Sequence, residues 1–338
     1  MPELPEVQTT VTGLTRTIVS LTIIDVWTDY NSPYFKGSET IKDPAYFKYF
    51  KKEILGKKIV DASRRAKNVL IHLESTDKKS VGSTILIHMK MTGHIMIGRY
   101  VFDSHNNKKS KTGNWFPAPD ERKSLHDPYN KYIHFVITLS NGQQLVLSDT
   151  RKFAKVTLIE EDARISRFAT GLTQSSSSIH LKDLGPEPLD KSFILEVFKE
   201  RLNKKPTGKI KTVLMDQTII SGIGNIYSDE ALWRSSIHPE QKVMDIPNDS
   251  LKALYIAVKQ VLKKGIDFGG DSMSDYRNVD GERGKFQEHH QVYRRKGQTC
   301  TFKTGSGKSV KTCPGIIQRI VVGGRSTHFC PIHQKFQK

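Results

Sequence analysis

The chain has 338 residues, of which 36% are hydrophobic and 26% are charged, a balance typical of a globular protein with about two domains. Lys and Arg exceed Asp and Glu by 53 − 35 = 18, and such an excess favours a polyanionic partner, with nucleic acid first. No apolar run approaches the ~20 residues of a membrane helix, and the amino terminus lacks the pattern of a secretory signal. We therefore expect a cytoplasmic protein with no membrane partner.

The first six residues combine a candidate nucleophile with candidate acids. Trimming of Met1 would expose Pro2 as a secondary amine, which condenses with an aldehyde to a cationic iminium. Glu3 and Glu6 lie within a few bonds of that amine and could transfer protons. Apolar residues then recur at helical spacing over residues 7–21. Because proline and glutamate are also ordinary at a helix start, this stretch alone leaves both interpretations open.

The rest of the first half is predicted to be mainly β-structure. Short apolar or alternating runs predict strands at Leu21–Trp27, Lys58–Ala62, Val69–Leu73, Thr84–His88, Ile133–Leu139, Gln144–Leu147 and Lys155–Ile159. Tyr30–Pro44 and Asp103–Asn130 are predicted to be loops, the second long enough to be mobile. The serine-rich residues 174–188 indicate an interdomain linker.

Beyond the linker the pattern becomes helical and ends in a cysteine-containing tail. Predicted helices are Ser192–Leu202, Ile210–Ile219, Ile226–Ser235 and Ser250–Lys264. Cys300, Cys313 and Cys330 all lie within the last 39 residues, and an odd count in a chain without a secretory signal favours metal over disulfides. Cys330 and His333 stand at the spacing of a zinc knuckle.

Six segments carry a family resemblance. They are MPELPEVQT at residues 1–9, SRRAK at 63–67, HMKMTG at 88–93, DTRKFA at 149–154, the run 211–230 and VGGRSTHFC at 322–330. In this order they resemble the Fpg/Nei family of DNA glycosylases, specifically its formamidopyrimidine-DNA glycosylase branch. The resemblance covers nearly the whole chain, with gaps at the two loops, the serine linker and the segment 301–312.

The resemblance implies an α+β fold. Its expected parts are an N-terminal catalytic β-sandwich domain with an N-terminal helix (1–173), a linker (174–188), a helix–two-turn–helix DNA-binding domain (189–284) and a β-hairpin zinc finger (285–338). The second domain would include a glycine-rich loop, Asp267–Phe286, that closes over a damaged base. A lid of this kind orders when substrate binds.

The resemblance also implies a bifunctional DNA glycosylase and abasic-site lyase that acts on duplex DNA as a monomer. Pro2 would be the nucleophile, Glu3 an acid, and Lys67 an essential lysine whose ammonium stabilises developing negative charge. The substrates would be oxidised purines such as 8-oxoguanine and formamidopyrimidines, and β- then δ-elimination would open the strand. Without the resemblance, Lys67 is one cation among many.

Three side chains are implied to replace the flipped nucleotide within the duplex. Met91 would fill the vacated space, Arg151 would pair with the widowed base, and Phe153 would wedge beside it; packing of Met91 in the core is the alternative. The other implied DNA-binding residues are His88, Lys211, Asn225 and Arg325.

One structural zinc is implied, because four protein ligands leave no open coordination position. Its ligands would be Cys300, Cys313, Cys330 and His333. His333 replaces the family's last cysteine, and twelve residues separate Cys300 from Cys313 where the family usually has two. His289 or His290 therefore remains a competitor of Cys300.

Two other functions compete with this interpretation. A glycosylase for oxidised pyrimidines belongs to the same family, but the PELPEV start and the Met-Arg-Phe trio argue against it. A non-catalytic zinc-finger DNA-binding protein would bind DNA and yield no lyase product.

Overall fold

The computed structural model describes residues 2–75, 82–104, 113–160, 181–305 and 310–337. The chain forms two compact units. The β unit comprises residues 1–182 and 269–284, and the helical unit comprises residues 183–268 and 285–338. The boundary at residue 182 falls within the predicted linker, of which residues 174–180 lie outside the described part. No helix among the described residues is both long and apolar enough to span a bilayer.

The β unit is a sandwich of two antiparallel sheets. Its helices are α1 (Leu4–Ile18) and α2 (Pro44–Ile54). Its strands are β1 (Ile23–Thr28), β2 (Ile59–Arg65), β3 (Asn68–Leu73), β4 (Ser83–His88), β5 (Gly93–Gly98), β6 (Tyr100–Asp103), β7 (Asn114–Pro117), β8 (Ile133–Leu139), β9 (Gln144–Asp149) and β10 (Lys155–Glu160). The strand orders are β1-β8-β9-β5 and β10-β4-β3-β2, and β6 pairs with β7. Buried side chains from both sheets and both helices form one core cluster, so the expected sandwich is confirmed.

Helix α1 forms because its first turn is capped and because its apolar residues lie on one face. Glu3 is the N-cap, and Glu3 and Glu6 exchange the two hydrogen bonds of a capping box. Val7, Val11, Leu14 and Ile18 of the repeat are at most 4% exposed. Each such side chain contributes about 1.5–3 kcal/mol when it is removed from water, which fastens the helix to the sandwich.

Helix α2 and strands β5, β6 and β7 of the β unit were not predicted from the sequence. Helix α2 begins at Pro44, the last residue of the predicted loop Tyr30–Pro44. The Asp43 carboxylate accepts the N–H of Ala45 at 2.9 Å and caps the helix. Strand β5 is buried at every position, so it lacks the alternation that marks a half-buried strand. Strand β7 lies inside the predicted loop Asp103–Asn130, of which residues 105–112 lie outside the described part.

The helical unit contains the predicted helices and a tail of short strands. The helices are α3 (Leu195–Leu202), α4 (Ile210–Met215), α5 (Asn225–Arg234) and α6 (Asn248–Asp267). The strands are β11 (Lys303–Thr304), β12 (Lys311–Thr312), β13 (Gln318–Val322) and β14 (Arg325–Phe329). Helix α4 ends four residues earlier than predicted because the Asp216 carboxylate accepts the N–H of Thr218 at 2.9 Å and starts a turn. Residues 216–224 then lead into α5.

Candidate active site and nucleic-acid interface

The turn that carries Lys67 lies at the amino-terminal end of α1. Near the end of α1, the Thr15 hydroxyl donates to the Ala62 carbonyl at 3.1 Å. Closer to its start, Gln8 accepts a hydrogen bond from the Arg64 guanidinium at 3.0 Å. Strand β2 and helix α1 therefore run in opposite directions. The end of β2 that leads to Lys67 lies beside the start of the helix. This antiparallel placement brings the candidate lysine to the same end as the candidate nucleophile.

Pro2, Glu3 and Lys67 are all buried. The Glu3 N–H donates to Oε2 of Glu6 at 2.7 Å, which fixes the backbone directly after Pro2. Ala66, next to Lys67, adopts φ +54°, so the two-residue turn between β2 and β3 bends sharply. Glu3 thus caps a helix in addition to being the candidate acid, a second role that the sequence analysis treated only as the alternative.

The register of the second sheet brings the remaining motifs to the same end of the sandwich. His88, the last residue of β4, pairs with Asn68 at the start of β3 and with Lys155 at the start of β10. Every turn adjoining these three residues must therefore leave the sheet at one end. Those turns are 66–67, 89–92 and 150–154.

A buried carboxylate joins the two turns that carry the Met-Arg-Phe trio. Asp149 is fully buried; it accepts a short hydrogen bond from the Thr92 hydroxyl and accepts the N–H of Ala154 at 2.7 Å. The Arg151 N–H in turn donates to the Thr92 hydroxyl at 3.2 Å. Buried carboxylates require such donors. The arrangement therefore fixes one turn against the other, although the sequence analysis gave neither Asp149 nor Thr92 a role.

The trio's side chains are accessible in this arrangement. Met91 is half-buried, whereas Met89 is 1% exposed and packs in the core, so Met89 is the core methionine of this turn. Arg151 and Phe153 are exposed, and the guanidinium lies over the Phe153 ring at 4.4 Å from its centroid. His88 has a local partner, because its Nδ1 accepts the N–H of Lys90 at 3.0 Å.

A buried lysine supports the Arg151–Phe153 turn from the segment predicted to be a loop. The Lys42 ammonium donates to the Lys152 carbonyl at 2.6 Å and lies 5.2 Å from the centroid of the Tyr30 ring. Burial lowers the pKa of Lys42, and the carboxylate of Asp149 opposes that shift. No local sequence signal distinguishes Lys42 from the many other lysines, so sequence reasoning missed it.

Lys211 is the one predicted DNA contact that the structure corrects. Its side chain is fully buried, and its Nζ donates to the Asp229 carboxylate at 2.5 Å, the Ser228 hydroxyl at 2.7 Å and the Asn225 carbonyl at 2.9 Å. All three proton positions of the ammonium are used. Lys211 therefore holds the first turns of α5 together and has no exposed atom to offer a phosphate.

Asn225 and Arg325 come together at the start of α5. The Asn225 amide donates to the Ser326 carbonyl at 2.9 Å, which ties the helix to the hairpin of β13 and β14. Gly323 and Gly324 form the hairpin turn with φ +56° and +73°, as a type I′ turn requires. Arg325 follows this turn and is exposed. A helix amino terminus beside an exposed arginine can bind phosphate.

The tail gathers four metal-ligating atoms. The ligand atoms of Cys300, Cys313, Cys330 and His333 lie within 4.8 Å of one another. Cys313 Sγ is 3.6 Å from Cys330 Sγ, and Cys300 Sγ is 3.5 Å from His333 Nδ1. Tetrahedral zinc, with bonds of about 2.0–2.3 Å, places its ligand atoms about 3.5–3.8 Å apart. The cluster includes Cys300 and neither His289 nor His290, so the residues fit the implied ion.

The surroundings of the cluster also suit a metal. His333 Nε2 lies 3.1 Å from the Trp233 carbonyl, a partner that directs Nδ1 toward the cluster. Burial raises the pKa of the Cys300 thiol to about 11, so a thiolate there requires a neighbouring cation. A Cβ on Gly315 would lie 2.3 Å from Cys330 Sγ. Glycine is therefore needed where the chain passes the ligand sulfur.

Between Cys300 and Cys313 the structure describes residues 301–305 and 310–312, which leave the cluster and return to it as paired strands. Strands β11 and β12 pair, and the Cys313 N–H donates to the Phe302 carbonyl at 2.8 Å. Thr301 and Phe302 therefore act as a two-residue spacer, and the paired strands β11 and β12 branch out after it. The Phe302 ring stacks on the His333 imidazole with a centroid distance of 4.1 Å, so the spacer also covers a ligand.

Comparisons with known proteins agree with these motifs. Residues 1–156 match the formamidopyrimidine-DNA glycosylase N-terminal domain, and residues 184–277 match the formamidopyrimidine-DNA glycosylase H2TH domain. The chain is 33% identical to the formamidopyrimidine-DNA glycosylase of Bacillus subtilis over 98% of each chain, and 32% identical to that of Herpetosiphon aurantiacus over 99% of this chain and 100% of the relative.

Solved structures give the same result. A complex of the Lactococcus lactis Fpg with abasic-site DNA has a TM-score of 0.72 at 30% identity, covering 98% of this chain and 99% of that one. A complex of the wild-type Lactococcus lactis enzyme with DNA containing N7-benzyl-Fapy-dG has a TM-score of 0.73 at 31% identity, covering 99% and 100%. The chain belongs to the formamidopyrimidine-DNA glycosylase family.

Proposed function

We propose that this protein is a base-excision-repair enzyme that releases oxidised purines from duplex DNA and then cleaves the strand. The observation that carries the proposal is the convergence of four family-like motifs at one end of the β unit. Main-chain register and Asp149 bring the Lys67 turn and the two turns of the Met-Arg-Phe trio to that end. The contacts between α1 and β2 bring the amino terminus there. These are the groups that base extrusion and attack at a sugar carbon require.

The chemistry begins at the Pro2 nitrogen. After Met1 is removed, the amine attacks C1′ of the extruded nucleotide while the bond from C1′ to the base breaks. The departing base takes the bonding electron pair and the proton that the amine loses. Glu3 delivers a proton to the sugar ring oxygen, and the ring opens to an iminium. The iminium acidifies the neighbouring C2′–H, so loss of that proton expels the 3′ phosphate by β-elimination. A second elimination releases the 5′ phosphate, and Lys67 stabilises the negative charge that develops.

The helical unit supplies contacts to the DNA backbone. Exposed Arg325 and the first turn of α5 next to Asn225 form a site suited to phosphate. Because phosphate contacts are electrostatic, affinity should fall steeply with salt. An enzyme with this substrate acts where DNA is held, in the cytoplasm with the nucleoid if the cell is bacterial.

The metal held by the three cysteines and His333 is zinc in a structural role. Zinc would fix the hairpin that carries Arg325, and its four protein ligands leave no position for a reacting group. Lengthening the first spacer from two residues to twelve costs only ~1–2 kcal/mol in loop-closure entropy, against about 10–16 kcal/mol for structural zinc binding. The insertion 303–312 is therefore compatible with a stable site.

Borohydride trapping tests the nucleophile. Reduction during turnover on 8-oxoguanine duplex should yield a covalent DNA–protein complex joined through Pro2, mapped by peptide mass spectrometry. A protein with one additional residue before Pro2 is the matched control, because its Pro2 nitrogen is an amide and should trap nothing. An adduct on Lys67, or efficient trapping by the extended protein, would refute the assignment.

The same assay on duplexes that contain an oxidised pyrimidine or an abasic site separates the competing functions. Excision of the oxidised purine well above the oxidised pyrimidine is the expected result. A preference for the pyrimidine would identify the other branch of the family. Binding without any strand cleavage would identify a non-catalytic DNA-binding protein.

A further inference from the structure

The segment 269–284 begins beside Glu6, in the first turn of the helix that follows the candidate nucleophile Pro2. Its Asp271 N–H donates to Oε1 of Glu6 at 2.7 Å, while Oε2 of the same carboxylate accepts the N–H of Glu3 at 2.7 Å. Gly270 has φ +84°, and a Cβ there would lie 2.9 Å from Glu6 Cγ. One carboxylate thus holds both the start of this segment and the backbone beside Pro2. The segment is therefore close enough to act on whatever occupies the site.

The middle of the segment is presented to solvent. Met273 is 38% exposed, Ser274 is exposed, and Asp275 is half-buried; we call residues 273–275 the tip. On either side of the tip the chain is buried, at Ser272 and at Tyr276. The tip is thus the part of this segment that can meet a ligand, and its shape depends on how its two ends are held.

Arg277 holds one end of the tip. Its side chain is 2% exposed, and its Nη1 donates to the carbonyls of Ser274 and Tyr276, each at 2.9 Å. The other edge of the guanidinium faces Asp127: Nη2 donates to both carboxylate oxygens at 3.1 and 3.3 Å, and Nε to one of them at 3.2 Å. The guanidinium also lies over the Tyr129 ring at 4.7 Å from its centroid. Only the planar guanidinium of arginine has enough donors to bond the two carbonyls and the carboxylate at the same time.

Asp127 belongs to the second half of the predicted loop Asp103–Asn130, and that half is itself fastened to the segment. The Ser124 hydroxyl donates to the Asp280 carbonyl at 2.6 Å, and the Arg122 guanidinium forms a short ion pair with the Asp280 carboxylate. Gly281 has φ +77°, and a Cβ there would lie 2.8 Å from the Ser124 carbonyl oxygen. The loop 120–130 is thus a second anchor for the segment 269–284.

We propose that the Arg277–Asp127 pair is a positioning device that sets lesion specificity by fixing the tip over an extruded purine. The inference rests on the proposed function and deepens it. Base release requires the tip to be ordered against the damaged base. An abasic site has no base for the tip to contact, so its cleavage does not depend on the pair. Arg277 and Asp127 act through the tip and take no part in bond making.

The test compares single-turnover rates of base release from an 8-oxoguanine duplex with cleavage of a preformed abasic site. Arg277→Lys keeps the positive charge and removes the planar guanidinium. Asp127→Asn keeps the size of the side chain and removes the negative charge. Each should slow base release about tenfold, the effect of losing one charge-assisted hydrogen bond, and should change abasic-site cleavage less than about twofold. The double variant should be no slower than the slower single variant, because both changes break one unit.

Matched controls separate positioning from general damage. Asp25→Asn removes an exposed ion pair with Lys51 at 2.6 Å, between β1 and α2, and should leave the ratio of the two rates unchanged. Tyr129→Leu removes the ring beneath the guanidinium and retains the ion pair, so it should shift the ratio in the same direction by less. Amide hydrogen exchange over residues 271–276 should accelerate in the pair variants.

The outcomes discriminate clearly. An unchanged ratio in all the pair variants of an active enzyme would overturn the inference and leave the proposed function intact. An equal loss of both activities would also overturn it, because that pattern indicates a purely structural ion pair. A wild-type protein that acts on neither DNA would overturn the proposed function and the inference with it.

Discussion

Replacing Lys211 with methionine tests whether this lysine stabilises the fold or binds DNA. The Lys211→Met side chain keeps a similar length and loses the ammonium with its three partners. The Asp229 carboxylate then stays fully buried with the His328 N–H at 2.9 Å as its remaining main-chain donor. Breaking a buried ion pair by removing one partner costs about 3–5 kcal/mol. We therefore expect a large loss of stability.

The expected loss translates into a measurable change in the melting temperature. At about 3 °C per kcal/mol for a domain of this size, the Tm should fall by about 9–15 °C. Differential scanning calorimetry measures this fall. A DNA titration well below the melting temperatures of the wild type and the variant measures the affinity of the folded protein. Lys209→Met is the matched control, because Lys209 forms a half-exposed ion pair with Glu240 at 2.6 Å, and such pairs contribute about 0–1 kcal/mol.

The opposite pattern would refute this reasoning. If Lys211→Met melted within about 2 °C of the wild type, a change below 1 kcal/mol, the buried pair would carry little stability. If the same variant also bound DNA with a salt dependence reduced by about 0.9 in the log–log slope, one phosphate contact would have been lost. Lys211 would then be a DNA-binding residue after all.

The remaining predictions concern catalysis, extrusion and the metal. Glu3→Gln should lose base release in an excision assay and keep both DNA binding and the helix cap, whereas Glu3→Ala should also lose about 1 kcal/mol of stability; loss of binding with Glu3→Gln would indicate a structural role. Met91→Ala and Phe153→Ala should each weaken binding to lesion duplex by about 1–3 kcal/mol and to abasic DNA by less, and normal binding by both would contradict the trio. Cys330→Ser should lose zinc and DNA binding together, while deletion of 303–312 should retain one zinc per chain by metal analysis; a zinc-free, fully active protein would contradict this assignment.

The sequence determined those features that depend on neighbours along the chain. The 3.6-residue repeat of Val7, Val11 and Leu14 appears as the buried face of α1, because the repeat and the helix have the same period. The family resemblance implied the hairpin before Arg325, and the glycine pair there permits the positive φ that its turn requires. Motif order was sufficient to identify the family, since it needs no knowledge of distances.

Local patterns failed where an element has no characteristic period. Strand β5 is buried on both faces, so its residues do not alternate between apolar and polar. Helix α2 is lysine-rich, and its buried residues Tyr46, Phe50 and Ile54 form a stripe one residue wide. The stripe is obscured in the sequence, because Phe47 and Tyr49 are also aromatic but are only half-buried.

Only the tertiary structure decided which charged and polar groups are available to a ligand. Lys211 and Arg325 are both basic residues in family-like motifs, yet one is fully buried among three acceptors and the other is exposed. Asp149 gains its importance from Thr92, 57 residues away, and Arg277 from Asp127, 150 residues away. Burial and the choice of partner are set by contacts between distant segments. A sequence read one stretch at a time contains the side chains, and the fold alone determines which of them meet.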